Sequence, residues 1–274
     1  MEISEVIRKR MSCRTYRPIP INEEDRLALE DFIRRNSIGI DNERIDFKLI
    51  HKAESEKPLK INYGMIQGHN SFILGTSKPN PDSRLNYGYL MEKILLKATE
   101  LGIATCWVGY FDQSFFKEVE VREDMEIPSI IIVGYAESKQ SVGERLVRYA
   151  IKAHKRNDWG TLFFNYQTKS PLSNKLEAGY IEALEMLRLA PSSGNSQPWR
   201  VYYDHITNEF HFFKKTINKK YDQLGLHEID LGIAFAHFEL VAKANGMKGQ
   251  WIKLASDKIE SIEDLKYVGS WKCE

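Results

Sequence analysis

Cysteine is scarce in this 274-residue chain, and its three copies (Cys13, Cys106, Cys273) are odd in number and never in CxxC spacing. That excludes a disulfide framework and a cysteine-based zinc site. The seven histidines are scattered, with no HExxH and no pair four residues apart, so a metal hydrolase is disfavoured and no metal is expected. Long hydrophobic runs are missing too: the best, 127–133, falls far short of the ~20 apolar residues that cross a bilayer. Charge of one sign is not in surplus, since 39 Lys+Arg against 38 Asp+Glu leave a net +1. A general nucleic-acid binder, which needs a basic excess to meet phosphates, is therefore disfavoured. The opening MEISEVIRKR is polar and charged, unlike a secretory leader. A soluble, cytoplasmic protein without a nucleic-acid or membrane partner is expected.

What is present is an ordinary globular balance, 42% hydrophobic and 28% charged, which rules against wholesale disorder. Residues 1–10 read as a short amphipathic helix with Ile3, Val6 and Ile7 on one face. A second helix opens at the N-cap candidate Asn22, with Leu27, Leu29, Phe32 and Ile33 as its apolar face. Strands are expected at 44–51 and 71–75, a strong helix at 85–101, and a buried strand at 129–134. The basic, aromatic stretch 138–169, with Arg145, Arg148, Lys152, Lys155 and Arg156, reads as a connector. Beyond it come a helix over 176–189, a hairpin from 200–203 to 210–213 around Thr207-Asn208, and a helix over 230–244 stopped by Asn245-Gly246.

The two long helices align without gaps when Asn86 is set over Asp230, an offset of 144. Gly88/Gly232, Leu96/Leu240, Ala98/Ala242, Gly102/Gly246 and Trp107/Trp251 are identical, and each copy runs helix, Gly stop, then a segment ending in Trp. The chain therefore reads as two related α+β halves about a pseudo-twofold axis, 1–160 and 161–274.

Three segments could carry chemistry. In Arg10-Met11-Ser12-Cys13-Arg14 two guanidiniums flank a hydroxyl and can converge on an anion, best a phosphate. A solvated basic helix end complementing the macrodipole is the alternative. The loop 190–199 (APSSGNSQPW) has small side chains and short polar groups that let backbone amides approach a flat heterocycle. Its alternative is a turn whose Ser and Asn bond their own backbone. In 102–111, small residues and Gly109 let backbone N–H groups face a ligand, while apolar neighbours make Cys106 an inert thiol rather than a nucleophile.

Together these residues resemble the nitroreductase family of FMN-dependent oxidoreductases. Arg10, Ser12 and Arg14 fit its Arg-Arg-Ser-x-Arg pattern, with Met11 in place of the usual basic residue. Residues 191–199 match its Pro-Ser-Ser-x-Asn-x-Gln-Pro-Trp loop, and 101–109 match its Gly-Leu-Gly-Thr-Cys-Trp-Ile-Gly segment closely. Ordinary members carry both motifs in each subunit of a homodimer and build each flavin site from two subunits. Here the phosphate pattern stands only in the first half and the Pro-Ser-Ser loop only in the second; the equivalent first-half stretch, 38–47, is IGIDNERIDF. The resemblance thus implies the internally duplicated branch: a nitroreductase-like α+β fold in tandem, a single-chain pseudo-dimer with one FMN.

By that resemblance Arg10, Arg14 and Arg156 would hold the phosphate, and Ser12 the phosphate or ribityl chain. Pro191, Ser192, Ser193 and Asn195 would line the isoalloxazine, the backbone of Val108, Gly109 and Tyr110 would address its N5 edge, and Asn62 its pyrimidine end. The implied chemistry is ping-pong, with NAD(P)H as donor and a nitroaromatic, quinone or similar small molecule as acceptor, and no obligatory catalytic side chain. A flavin enzyme of another type, cleaving flavin or dehalogenating, and a non-catalytic ligand-binding protein on the same fold are the alternatives. A monomer is expected, a homodimer being the alternative.

Overall fold

The computed structural model describes residues 1–52, 66–68, 70–138, 149, 152, 155–173 and 175–274, so Asn62, Arg145 and Arg148 lie outside the described residues. The chain divides into two compact units, Met1–His154 and Lys155–Glu274.

In the first unit α1 (Ile3–Lys9) and α2 (Glu23–Arg35) lead into β1 (Phe47–His51) and β2 (Ser71–Gly75), followed by α3 (Pro81–Glu100), β3 (Ala104–Val108) and β4 (Ile130–Gly134). Asn22 caps α2 as its sequence suggests, accepting from the Asp25 N–H, but Leu27 is 51% exposed, and Leu29 and Ile33 carry the buried face. The third helix starts four residues ahead of the expected 85, because the Asn80 side chain accepts from Ser83 N–H and Pro81 occupies the first turn, where its missing N–H costs nothing. The four strands form an antiparallel sheet ordered β1-β2-β4-β3.

The second unit adds what the expected connector conceals: a helical turn α4 (Trp159–Leu162) running straight into a short strand β5 (Phe163–Asn165). Then follow α5 (Ala178–Arg188), β6 (Trp199–Asp204), β7 (Glu209–Lys215), α6 (Lys219–Gln223), α7 (Leu226–Ala244), β8 (Gly249–Ile252) and β9 (Leu265–Cys273). Helix α7 begins four residues before the expected 230, after Gly225 at φ 71, and it is buried almost all round, its polar His227, Glu228 and Asp230 included. Its sheet is ordered β5-β6-β7-β9-β8, antiparallel except where β5 runs parallel to β6.

Leaving β5 aside, the two sheets have one order, and they share a register. Trp107 and Trp251, superposed by the repeat, pair with Ile131 and Trp271. Those pair onward with Ile73 and Phe210, and these in turn with Leu49 and Tyr203. The two long helices carry a matching anchor. The Trp107 indole N–H donates to Glu92 on α3, and that of Trp251 to Glu239 on α7, each at 2.7 Å. Both carboxylates are buried, and a buried charge is tolerable only when bonded.

One difference separates the sheets. The outer side of β6 is covered by β5, whereas no described strand pairs with the outer side of β1. A cavity of about 390 Å³, lined by Glu30, Ile33 and Arg34 of α2 and by 44 and 46–50, lies along β1.

In the second core His211 is 2% exposed, its Nδ1 lies 2.7 Å from Ser270 Oγ, and burial pushes its imidazole down to about 4, against Asp204 and with Lys169. The folded state therefore prefers the neutral ring, while the unfolded chain takes its proton near pH 6.5. The contribution is complete above pH 6.5 and lost as pH falls toward 4. Urea unfolding at pH 7.5 and 5 should show a smaller acid loss of stability in His211→Gln than in wild type; equal losses would remove His211 from the acid response.

Candidate functional site

The anion-binding pattern begins where α1 ends. Arg10 leaves the helix with φ −58 and ψ 123, and the chain continues extended. It runs parallel to β3: Ser12 stands opposite Thr105, and the Cys13 N–H donates to Thr105 O at 2.9 Å. Beyond Arg14 it is clamped on both sides, by Gln67 N–H to Arg14 O (3.0 Å), Tyr16 N–H to Gln67 O (2.9 Å) and Glu137 N–H to Thr15 O (2.9 Å). The clamp is tight at Gly68, where φ is +71 and an added Cβ would lie 2.0 Å from Tyr16 O.

Alternation of an extended chain then sorts the side chains. Met11, Cys13 and Thr15 line a cavity of about 350 Å³ together with Thr99, Ile103 and Ala104. Arg10, Ser12 and Arg14, all half-buried, fall on the opposite side. Val108 ends β3 three residues past Thr105, roughly 10 Å further along at 3.3 Å per residue. Gly109 is half-buried and Tyr110 is 51% exposed. One unit thus brings together the guanidinium pattern and the backbone of 108–110 on neighbouring strands. Cys106, on the same strand, is buried opposite Ile132 and is placed as a core residue.

The Pro-Ser-Ser loop belongs to the second unit, as does Arg156. Ser193–Asn195 form a single helical turn, with positive φ at Gly194 (59), Asn195 (58) and Gln197 (49). Tyr221 lies over Gly194, where an added Cβ would meet its ring at 2.7 Å. The polar side chains that sequence reasoning assigns to a ligand bond within the unit. Ser192 Oγ accepts from Gln197 N–H (2.9 Å), and Asn195 Nδ2 donates to Lys155 O (3.0 Å). Arg156 donates to Asn195 Oδ1 (3.3 Å) and Leu189 O (3.2 Å). Gln197 Oε1 accepts from Asn157 N–H (2.8 Å). Pro191 is half-buried at the start of the loop. What the loop offers a ligand is accordingly a held shape and backbone more than loose side chains.

Two residues that sequence reasoning missed fasten it. Asp230 Oδ1 accepts from both the N–H (2.8 Å) and the hydroxyl (3.1 Å) of Ser193, and His227 Nδ1 donates to Asp230 Oδ2 (3.3 Å). Burial pushes the Asp230 carboxyl up from the usual carboxylate range, against the bonds from His227 and Ser193. The signal was available: Asp230 heads the repeat, over Asn86. In the first unit Asn86 Oδ1 accepts from Ile40 N–H at 2.8 Å, so the same helix position holds the stretch that stands in place of a Pro-Ser-Ser loop.

Among the described residues no cluster of His, Cys, Asp and Glu could hold a metal, and no helix is long and apolar enough to cross a membrane. The family model described as "Putative TM nitroreductase" matches residues 2–242. A nitroreductase structure from Thermotoga maritima is 22% identical, covers 99% of this chain and 94% of its own, and superposes with a TM-score of 0.63. A nitroreductase family protein from Clostridium difficile is 24% identical over 53% of this chain and 90% of its own, with a TM-score of 0.41. A nitroreductase with bound FMN from Bacteroides fragilis is 18% identical over 52% and 92%, also at 0.41. Among curated proteins none matches. With a family model running over most of its length and a full-length fold likeness beside it, this chain belongs to that nitroreductase family, as an α+β protein of two related halves in tandem.

Proposed function

We propose that the chain is an FMN-dependent oxidoreductase that binds one FMN, built from complementary parts of its two halves as a single-chain pseudo-dimer. The observation that carries this reading is the division of motifs: an Arg-x-Ser-x-Arg pattern in the first half only, and an intact Pro-Ser-Ser loop in the second half only. Family membership supports a redox role. The donor set fits the cofactor: two guanidiniums and a hydroxyl on one side of an extended strand suit a phosphate of about −2 charge.

FMN, when bound, would supply two-electron chemistry between NADH or NADPH and a nitroaromatic, quinone or similar acceptor. The chain's own part would be binding and orientation. Arg10 and Arg14 would offset the phosphate charge, with Ser12 as a neutral donor beside them. The backbone at Val108, Gly109 and Tyr110 would face the reactive edge of the ring. Pro191, Ser192, Ser193 and Asn195 would cover the ring as one held loop and exclude water from it. Asn62 is kept for the pyrimidine end. Arg156 is kept for the phosphate, while its bonds to Asn195 and Leu189 tie the same guanidinium to the loop. No side chain is assigned a catalytic role.

Purified protein, incubated with FMN and desalted, should retain one flavin per chain by absorbance; two would reveal a second site, and none would sink the reading. Anaerobic mixing with NADH or NADPH should bleach the flavin band, and failure with both would exclude the donor. Arg14→Ala should weaken FMN binding roughly 10- to 100-fold, as expected for losing charge-assisted bonds, while the ring spectrum of the saturated protein stays unchanged. An unaltered dissociation constant would remove Arg14 from the phosphate site.

A further inference from the structure

We propose that Asp230 is a positioning residue for the flavin: it holds the Pro-Ser-Ser loop at its centre and so sets where the loop meets the ring. This rests on the FMN reading above. Arg156 holds the loop at Leu189 and Asn195 and Gln197 ties its far end to Asn157, while its middle packs under Tyr221 at Gly194 and is bonded to the body of the unit at Asp230 through Ser193. Three donors converge on that carboxylate, the Ser193 N–H, the Ser193 hydroxyl and the His227 Nδ1–H. His227 is itself fixed, its Nε2 accepting from Asn218 N–H at 3.4 Å, which leaves Nδ1 as the donor. Asp230 is 2% exposed and His227 fully buried, so solvent offers no substitute acceptor.

The first half holds the matched control. Asn86 occupies the same helix position and grips Ile40 through one N–H, while its Nδ2 reaches toward Glu43 Oε2 at 3.4 Å. Each side chain suits its neighbours: Asn stands beside an acceptor, and Asp beside donors only. The grip therefore belongs to the fold of both halves, but only the second half applies it to a loop of ligand-binding composition. Losing the grip should cost local order in either half and should be felt by flavin in one.

The test compares Asp230→Ala, Asp230→Asn and Asn86→Ala. In protein without flavin, amide exchange at Ser193 should quicken at least about 10-fold in Asp230→Ala and clearly less in Asp230→Asn, whose carboxamide oxygen still accepts from Ser193 while its Nδ2 faces the His227 donor. FMN affinity should fall about 10-fold in Asp230→Ala with an altered visible circular dichroism of the bound ring, recover in part in Asp230→Asn, and stay unchanged in Asn86→Ala. Unaltered Ser193 exchange in Asp230→Ala overturns the grip itself. Faster exchange with unaltered FMN affinity and dichroism overturns the positioning role and leaves the flavin reading standing. A wild-type chain that takes up no FMN overturns both, and is told apart because the wild type itself fails. Should Asp230→Ala not fold, Asp230→Ser and Asn86→Ser replace the alanine variants: faster Ser193 exchange with weaker FMN binding and altered dichroism in Asp230→Ser but not in Asn86→Ser support the assignment, and identical behaviour of the two overturns it.

Discussion

A carboxylate buried in a helix needs a donor, and in both halves of this chain a tryptophan on the next strand provides it. Glu92 with Trp107 and Glu239 with Trp251 each lock a long core helix to the strand that follows it. Because that strand is paired across the whole sheet, the lock propagates: once Trp107 and Trp251 are fixed, the register of four strands follows in each unit. The helix position that bears Asn86 or Asp230 is fixed by the same lock, and with it the loop that each of these residues holds. The two acceptors are not at equivalent positions, since Glu92 lies 15 residues before its tryptophan and Glu239 only 12, about one helical turn apart. The requirement has been kept while the residue meeting it has moved.

What differs between the halves is polar and local, and what they share is apolar and global. The sheet order and the helix pair need only buried surface of about the right shape, which many residues satisfy, so Ile131 can correspond to Trp271 and Leu49 to Tyr203. The Arg10–Arg14 strand and the Pro-Ser-Ser loop need particular donors in particular places. Such features carry desolvation and strain, including three positive φ angles in one loop, and have no reason to persist in a half that no longer uses them.

The legible parts of the sequence were those whose physics is short-range. Asn22 before an acidic turn, Asn245-Gly246 after an apolar one, and Thr207-Asn208 between two alternating runs mark their elements within a few residues. The start of α7 was hidden because His227, Glu228 and Asp230 interrupt its apolar residues there, as in a polar loop, yet all three are buried with them. Strand β5 was hidden because its partner β6 is nearly forty residues away, and its own Phe-Phe-Asn looks like any aromatic connector. The site divides the same way. The anion-binding and loop motifs could be read as strings, whereas the grip of Asp230 on Ser193, 37 residues apart, exists only after folding. The intramolecular duties of Arg156 and Asn195 were likewise invisible, since a donor next to a ligand motif reads as a donor to the ligand.

Among the described residues no strand covers the outer side of β1, and this carries a consequence for how the protein behaves in a crowded solution. Lys52 N–H bonds Asn70 O, and alternation along an antiparallel pair then turns the backbone groups of Phe47, Leu49 and His51 outward. A row of donors and acceptors with no strand partner among the described residues is a template on which another extended chain can pair. Along this rim the exposed side chains are Arg44, Asp46 and Lys48, two cations and an anion in alternation with apolar residues. Arg44 and Asp46 pair with each other at 2.8 Å, so the rim keeps a net positive charge, and like charge on two copies opposes the addition of one sheet to the next.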